Sequence, residues 1–255
     1  MNLFNLTGKV AIVTGGSSGI GFGISKGLGQ AGAIIAIASR DQAKAADAVK
    51  QLSDAGVECY ALACDVTSET DVRAMVKTVY DKHGKLNILV NNAGTNIRRR
   101  PEVMTHAEWR QVLDTNLDSA FHCSAASHPF LKQSGGGKII TIGSMLSIFG
   151  SPWAPAYAAS KGAIVQLTKS LATSWAVDNI QVNCLLPGWI DTPLTRKARE
   201  EIPGLNEKVL ARTPAGRWGS GDDFAGVSVF LSSAASDFIT GSSITVDGGF
   251  SISML

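Results

Sequence analysis

Short apolar runs alternate along the chain with stretches whose apolar residues recur at helical spacing. Lys9 to Thr14 (KVAIVT), Ile34 to Ala38, Val57 to Ala63, Leu86 to Val90, Lys138 to Ile142, Ile180 to Leu185 and Ser243 to Val246 read as strands. Helical patterns separate them. The first grows out of GSSGIGFGISKGLGQAG, and others cover about Ala43 to Ala55, Ser68 to His83, Glu108 to Lys132, Tyr157 to Trp175 and Asp222 to Leu231. Strand-helix alternation of this kind predicts an α/β fold in which a parallel sheet is covered on both faces. The stretch from Trp189 to Gly221 is mixed, with Pro193, Pro203 and Pro214; a segment of that length beyond the ligand end of a strand predicts a functional lid.

A chain of 255 residues is read as one domain over 1–255. Charged residues are 17% of it, below the usual quarter or so, which predicts extra surface hidden in the core or between subunits. A net charge of +2, evenly spread, argues against nucleic acid and anionic membranes as partners. Cys59, Cys64, Cys123 and Cys184 show neither metal-ligand spacing nor a C-x-x-C pair, so buried thiols in a reducing compartment are expected, and no metal. The N-terminal residues do not resemble a signal peptide, and no uncharged apolar run reaches the roughly 18 residues needed to span a bilayer. A soluble cytoplasmic protein is the expectation.

Candidate chemistry starts where the first strand stops. Gly15, Gly19 and Gly21, with Ser17 and Ser18 between them, form T-G-x-x-x-G-x-G between a strand and a helix. Such a loop lets a pyrophosphate approach the positive N-terminal end of the helix, although turns use glycine anyway. The second strand exits into Ser39-Arg40-Asp41. An NAD site usually places a carboxylate there, whereas Arg40 can pair with the 2′-phosphate of NADP, so NADP is favoured over NAD. The alternative is a solvated Arg40 paired with Asp41. Asp65-Val66 could meet the adenine, or Asp65 could cap the helix near Ser68. Asn92, Ala93 and Gly94 suit a backbone packed against a nucleotide, or a plain turn.

Ser144 follows a strand, and Tyr157 and Lys161, four apart, share one helix face. An ammonium beside a phenol lowers its ordinary pKa of about 10, as a group exchanging protons near neutrality requires. Ser144 would donate to a reacting carbonyl. The bland alternative is a surface helix. Asn116 lies inside a helical pattern, where asparagine is unfavourable, so it either faces solvent or does buried work. Arg98-Arg99-Arg100 leaves a ligand-facing strand end; Arg98 is expected to reach an acidic substrate, and a solvated charge run is the alternative.

The motifs Thr14-Gly15-x-x-x-Gly19-Ile20-Gly21, Asp65-Val66, Asn91-Asn92-Ala93-Gly94, Asn116, Ser144, Tyr157-x-x-x-Lys161 and Pro187-Gly188-x-x-x-Thr192, in that order, closely resemble those of the short-chain dehydrogenase/reductase family. The resemblance implies a seven-stranded Rossmann fold and a homotetramer. It implies Tyr157 as general acid/base, Lys161 lowering the tyrosine pKa and holding the nicotinamide ribose, Ser144 orienting the carbonyl and Asn116 fixing a water. It also implies that Asn92 to Gly94 line the adenosine ribose, while Ile190 and Thr192 touch the carboxamide; Trp189, just before them, is a candidate for substrate contact. Within the family, NNAGTNIRR, GGKIITIGSMLSIFG and PAGRWG are most similar to 2-deoxy-D-gluconate 3-dehydrogenases and gluconate 5-dehydrogenases. The expected function is hydride transfer between NAD(P) and a sugar acid. Alternatives are a neutral-ketone or 3-oxoacyl reductase, an epimerase or dehydratase, and a cofactor-binding sensor without catalysis.

Overall fold

The apolar runs become strands β1 (Val10–Thr14), β2 (Ile34–Ser39), β3 (Cys59–Ala63), β4 (Ile88–Asn91), β5 (Gly137–Ile142), β6 (Ile180–Pro187) and β7 (Ser243–Val246) in the computed structural model, which describes residues 3–254. They pair in parallel in the order β3-β2-β1-β4-β5-β6-β7. Successive side chains on a strand point to opposite faces, and here both faces are apolar. Ala11, Val13, Ile35 and Ile37 pack on one side with Ile24 and Leu28 of α1 (Gly19–Gln30), Leu52 of α2 (Gln42–Asp54) and Leu231 of α9 (Ala225–Ser232). Val10, Ile12, Ala36 and Leu89 pack on the other with Val72, Val76 and Val79 of α3 (Glu69–His83), Leu131 of α5 (Ser119–Gln133) and Leu171 of α6 (Pro155–Trp175). Each fully buried aliphatic side chain of this kind contributes about 1.5–3 kcal/mol. A one-residue slip of any strand would exchange its two sets of packing partners, so the register is well specified.

Two departures from the sequence pattern bear on the site. The single helix expected from Glu108 to Lys132 is α4 (His106–Leu113) and α5 joined through a wider π turn, Asp114–Asp118. Arg110 clamps that turn by donating to Asp118 at 2.8 Å and to Asp114, and π turns of this kind gather at functional positions. Asn116 sits in its middle. The second departure lies within 189–221, which contains α7 (Pro193–Glu201) and α8 (Leu205–Arg212). Thr192 caps α7 and Pro193 fills its first position, where a missing N–H costs nothing. Ala198, Leu205 and Val209 bury themselves with Trp189, Ile202 and Trp218 in a small cluster separate from the two sheet faces. Among the described residues, no helix is long and apolar enough to cross a membrane.

Candidate active site

The sheet order reverses between β1 and β4, and ligands of open α/β sheets bind beyond the strand ends at such a point. A cleft of about 340 Å³ opens there, lined by Gly15, Ser17, Ser18, Gly19, Ile20, Asn92, Ala93, Gly94, Ser144, Tyr157, Lys161, Pro187, Gly188, Ile190 and Thr192. Residues from four strand ends and the N-terminus of α1 thus converge. Gly15 has φ +63° and a side chain there would fall 3.0 Å from Asn92 Nδ2, so the backbone path suits only glycine. Gly21 does not line the cleft. It lies beneath it, where a Cβ would come within 2.4 Å of both Asn92 Nδ2 and the Gly15 carbonyl. That space is taken because the Asn92 amide straps the loop, donating to Thr14 O at 2.9 Å and Gly15 O at 3.1 Å. Thr14 Oγ1 completes the strap by accepting from the Asn92 and Ala93 N–H groups at 3.0 and 3.1 Å. Ser18, the residue before α1, makes no side-chain cap, so the first N–H groups of this helix remain available to an anion. The cleft fits a dinucleotide.

Ser39, Arg40, Asp65 and Val66 lie outside this cleft at the ends of β2 and β3, on the same edge of the sheet. Asp41 pairs with Lys44 and not with Arg40. Arg40 instead stands 3.9 Å from Asp65, exposed and with this long contact as its one ion pair among the described residues. Asp65 does not cap α3, a place Ser68 takes. Its Oδ1 accepts from Thr67 N–H and Oγ1–H at 2.9 and 2.7 Å, and those bonds hold its pKa below the ordinary carboxylate value, with Arg40 adding to the effect.

Lys161 is buried and its Nζ donates to Ile142 O at 2.6 Å. That carbonyl is available because β4–β5 pairing ends one residue earlier, at Asn91↔Thr141. Burial pushes the Lys161 pKa down to about 8. Tyr157 faces the cleft with the ammonium 5.6 Å from its ring centroid. The sequence expectation that Lys161 lowers the tyrosine pKa needs correction for this state of the protein. Burial pushes the phenol up, while the Ser144 side chain and then the charge of Arg98 draw it back. Lysine desolvation accounts for the difference, since a lysine with a pKa of about 8 has already lost its charge at the pH where the raised phenol ionises. Ser144 Oγ accepts from Leu146 N–H at 3.1 Å, and Ser147 braces the turn by accepting from Ser144 N–H and donating to Lys161 O.

Asn116 does buried work. Its Oδ1 accepts from Thr95 N–H at 2.7 Å, and its Nδ2 donates to Thr95 O at 2.9 Å and Ser160 Oγ at 3.1 Å. The π turn therefore pins the chain after Gly94 to the helix that carries Tyr157 and Lys161.

A second pocket of about 340 Å³ adjoins the first and shares Ser144, Tyr157, Gly188, Leu194 and Thr195 with it. Trp189 lines this pocket and meets Trp218 edge-on at 5.6 Å. Arg98 lines it too, ion-paired with Glu201 of α7 at 3.1 Å. Arg99 and Arg100 find Glu108 and Glu102 at 3.2 and 2.7 Å, so the basic run is largely neutralised within the fold. Asn96, Phe149, Arg212 and Phe250 also line the pocket. Sequence reasoning did not single them out, and no spacing or motif marks them.

The profile of a family described as enoyl-(acyl carrier protein) reductase matches residues 15–251. The chain is 40% identical over 253 residues to a 2-dehydro-3-deoxy-D-gluconate 5-dehydrogenase from Dickeya dadantii (strain 3937), covering 98% of each. A crystal structure of a putative short-chain alcohol dehydrogenase from Sinorhizobium meliloti 1021 superposes with a TM-score of 0.94 at 36% identity, covering 99% of this chain and 100% of the other. A gluconate 5-dehydrogenase from Burkholderia cenocepacia J2315, crystallised with NADP and tartrate, gives 0.94 at 38% identity over 99% of both chains. Likeness over the full length, at a sheet whose switch point carries a nucleotide-shaped cleft, places the chain in the short-chain dehydrogenase/reductase family, as an NAD(P)-dependent oxidoreductase acting on CH–OH groups.

Proposed function

We propose that this oxidoreductase interconverts the keto and hydroxyl forms of a sugar acid, with NADP preferred to NAD. The observation that carries the reading is that Ser144 and Tyr157 line both the nucleotide cleft and the adjoining pocket. A carbonyl at that junction meets the cofactor on one side and two hydroxyls on the other. The nicotinamide supplies or accepts the hydride. In reduction Tyr157 gives its phenolic proton to the carbonyl oxygen, and in oxidation it takes the proton from the alcohol; Ser144 donates a hydrogen bond to the same oxygen and stabilises its growing charge. Lys161 holds the nicotinamide ribose and, with a pKa near 8, can return a proton toward Tyr157. Asn116 holds Thr95 in place, and the second lone pair of its Oδ1 takes the water of the relay. Gly15, Ser17, Ser18, Gly19, Ile20 and the first turn of α1 hold the pyrophosphate. Asn92 to Gly94 take the adenosine ribose, Asp65 and Val66 the adenine, and Pro187, Gly188, Ile190 and Thr192 the carboxamide side.

Support for NADP comes from Arg40 beside Ser39, where a carboxylate would otherwise exclude a phosphate, and from the NADP in the B. cenocepacia enzyme. The acid substrate is supported by that enzyme's name, by the D. dadantii relative, and by a pocket whose charged lining residues are both arginines, Arg98 and Arg212. Trp189 packs against the sugar, and the segment 189–221 closes over it. We further infer a homotetramer, supported by exposed Phe121 on α5 and by small residues Ala159, Gly162 and Ala163 on α6, and a cytoplasmic location, supported by four cysteines that form no disulfide among the described residues. The test is the absorbance change of NADPH and NADH with gluconate-type keto acids, neutral ketones and a 3-oxoacyl thioester. The acids with NADPH should give the highest kcat/KM. Preference for neutral ketones would overturn the substrate, and no consumption with any of them would overturn the catalysis.

A further inference from the structure

Every other arginine around the substrate pocket is spoken for, and Arg212 is not. It closes α8 and lines the pocket. Its guanidinium lies over the Phe250 ring at 4.3 Å and the Phe149 ring at 5.2 Å from the centroids. Its Nε is buried without a hydrogen-bond acceptor, and among the described residues it has no carboxylate partner. Aromatic faces hold a guanidinium in place and favour its charge, but they accept none of its in-plane N–H bonds. The pocket lining contains no Asp or Glu to do so. A permanently charged, planar fork of donors, fixed by two rings and lacking an acceptor, matches a carboxylate. A second orphan lies in the same pocket: Asn96 Oδ1 is buried with no donor, which suits a hydroxyl of a polyhydroxy acid.

We propose that Arg212 is the residue that binds the substrate carboxylate and selects acids over neutral carbonyl compounds. Arg98 then has a different task, its charge being shared with Glu201. This inference rests on the sugar-acid reading and narrows it to one side chain. It also gives α8 a purpose, since closing the pocket with this helix delivers the counter-charge.

The test compares wild type, Arg212→Gln, Arg212→Lys and Arg98→Gln with D-gluconate and with a neutral secondary alcohol of similar length, both with NADP. Arg212→Gln should raise the KM for gluconate by about 10–100-fold, the scale of a lost charge-assisted pair, with kcat changed by less than about threefold. The neutral alcohol should show no more than a twofold change in kcat/KM. Arg212→Lys keeps a charge but loses the fork, so its KM should lie between those of wild type and Arg212→Gln. Thermal stabilisation by gluconate in the presence of NADP should fall in the same order, giving a readout independent of turnover. Should Arg212→Gln fail to fold, the lysine variant carries the comparison. Equal losses for acid and neutral substrate, or a larger acid-specific effect at Arg98, would overturn the proposal and leave the sugar-acid reading standing. A wild type that ignores gluconate and other acids would instead remove that reading.

Discussion

Lys161 makes stability depend on pH in a way that can be separated from everything else in the protein. Burial pushes its pKa from the ordinary 10.5 to about 8, and at about 1.36 kcal/mol per pH unit that difference amounts to about 3 kcal/mol. Below pH 8 the lysine is protonated in both folded and unfolded chains, and the full cost of the buried charge is borne. Between 8 and 10.5 the folded protein has shed a proton that the unfolded chain still holds, so stability rises with pH. Above 10.5 both are neutral and the cost is gone. Lys161→Met keeps the length of the side chain and removes the titration. It also leaves Ile142 O without its donor, a loss that does not change with pH. Urea unfolding of the nucleotide-free proteins from pH 7.5 to 10.5 should therefore show wild type gaining about 3 kcal/mol relative to Lys161→Met. Tyr157, pushed up by burial, titrates in either protein and largely cancels, whereas Cys184 is coupled to the Lys161 charge, so both proteins carry Cys184→Ala to remove its share. A difference that stays flat within about 0.5 kcal/mol across that range, well below the linkage expected, would refute a lysine held near 8.

Other expectations concern the nucleotide. Arg40→Ala should raise the KM for NADP about tenfold, the scale of one charge-assisted contact, and leave that for NAD within twofold; equal effects on both would retire the 2′-phosphate role. Gly21→Ala drives a Cβ to within 2.4 Å of the Gly15 carbonyl and of Asn92 Nδ2. It should cost about 1–3 kcal/mol by overpacking and weaken NADPH binding through the displaced Asn92 strap, as read by urea unfolding and by quenching of protein fluorescence. Wild-type stability and affinity in this variant would contradict the strap.

Much of this was legible in the sequence because burial on both sheet faces makes strands such as Val10–Thr14 and Ile34–Ser39 continuously apolar, and because Tyr157 and Lys161 lie on one helix. Asn116 announced itself as an asparagine in a helix, although the π turn that aims it did not. The two helices within 189–221 were not visible. α7 buries only Ala198 and α8 only Leu205 and Val209, too few apolar positions to show a period. The partner of Arg98 lies 103 residues away, and the rings that hold Arg212 come from two other segments. Charge pairing across such separations is set by tertiary packing, which no local pattern encodes. The direction of the Lys161 side chain is a similar case: its four-residue spacing from Tyr157 is local, whereas the carbonyl that captures its ammonium belongs to β5.

The account depends most on Tyr157 as the group that exchanges a proton with substrate. NADPH oxidation by Tyr157→Phe, measured with the best keto acid at saturating concentrations, should fall by about 10² or more, while NADPH still binds within about threefold of wild type, as expected when only one hydroxyl leaves the cleft. Turnover near the wild-type rate with cofactor binding intact would contradict the assignment and the mechanism built on it.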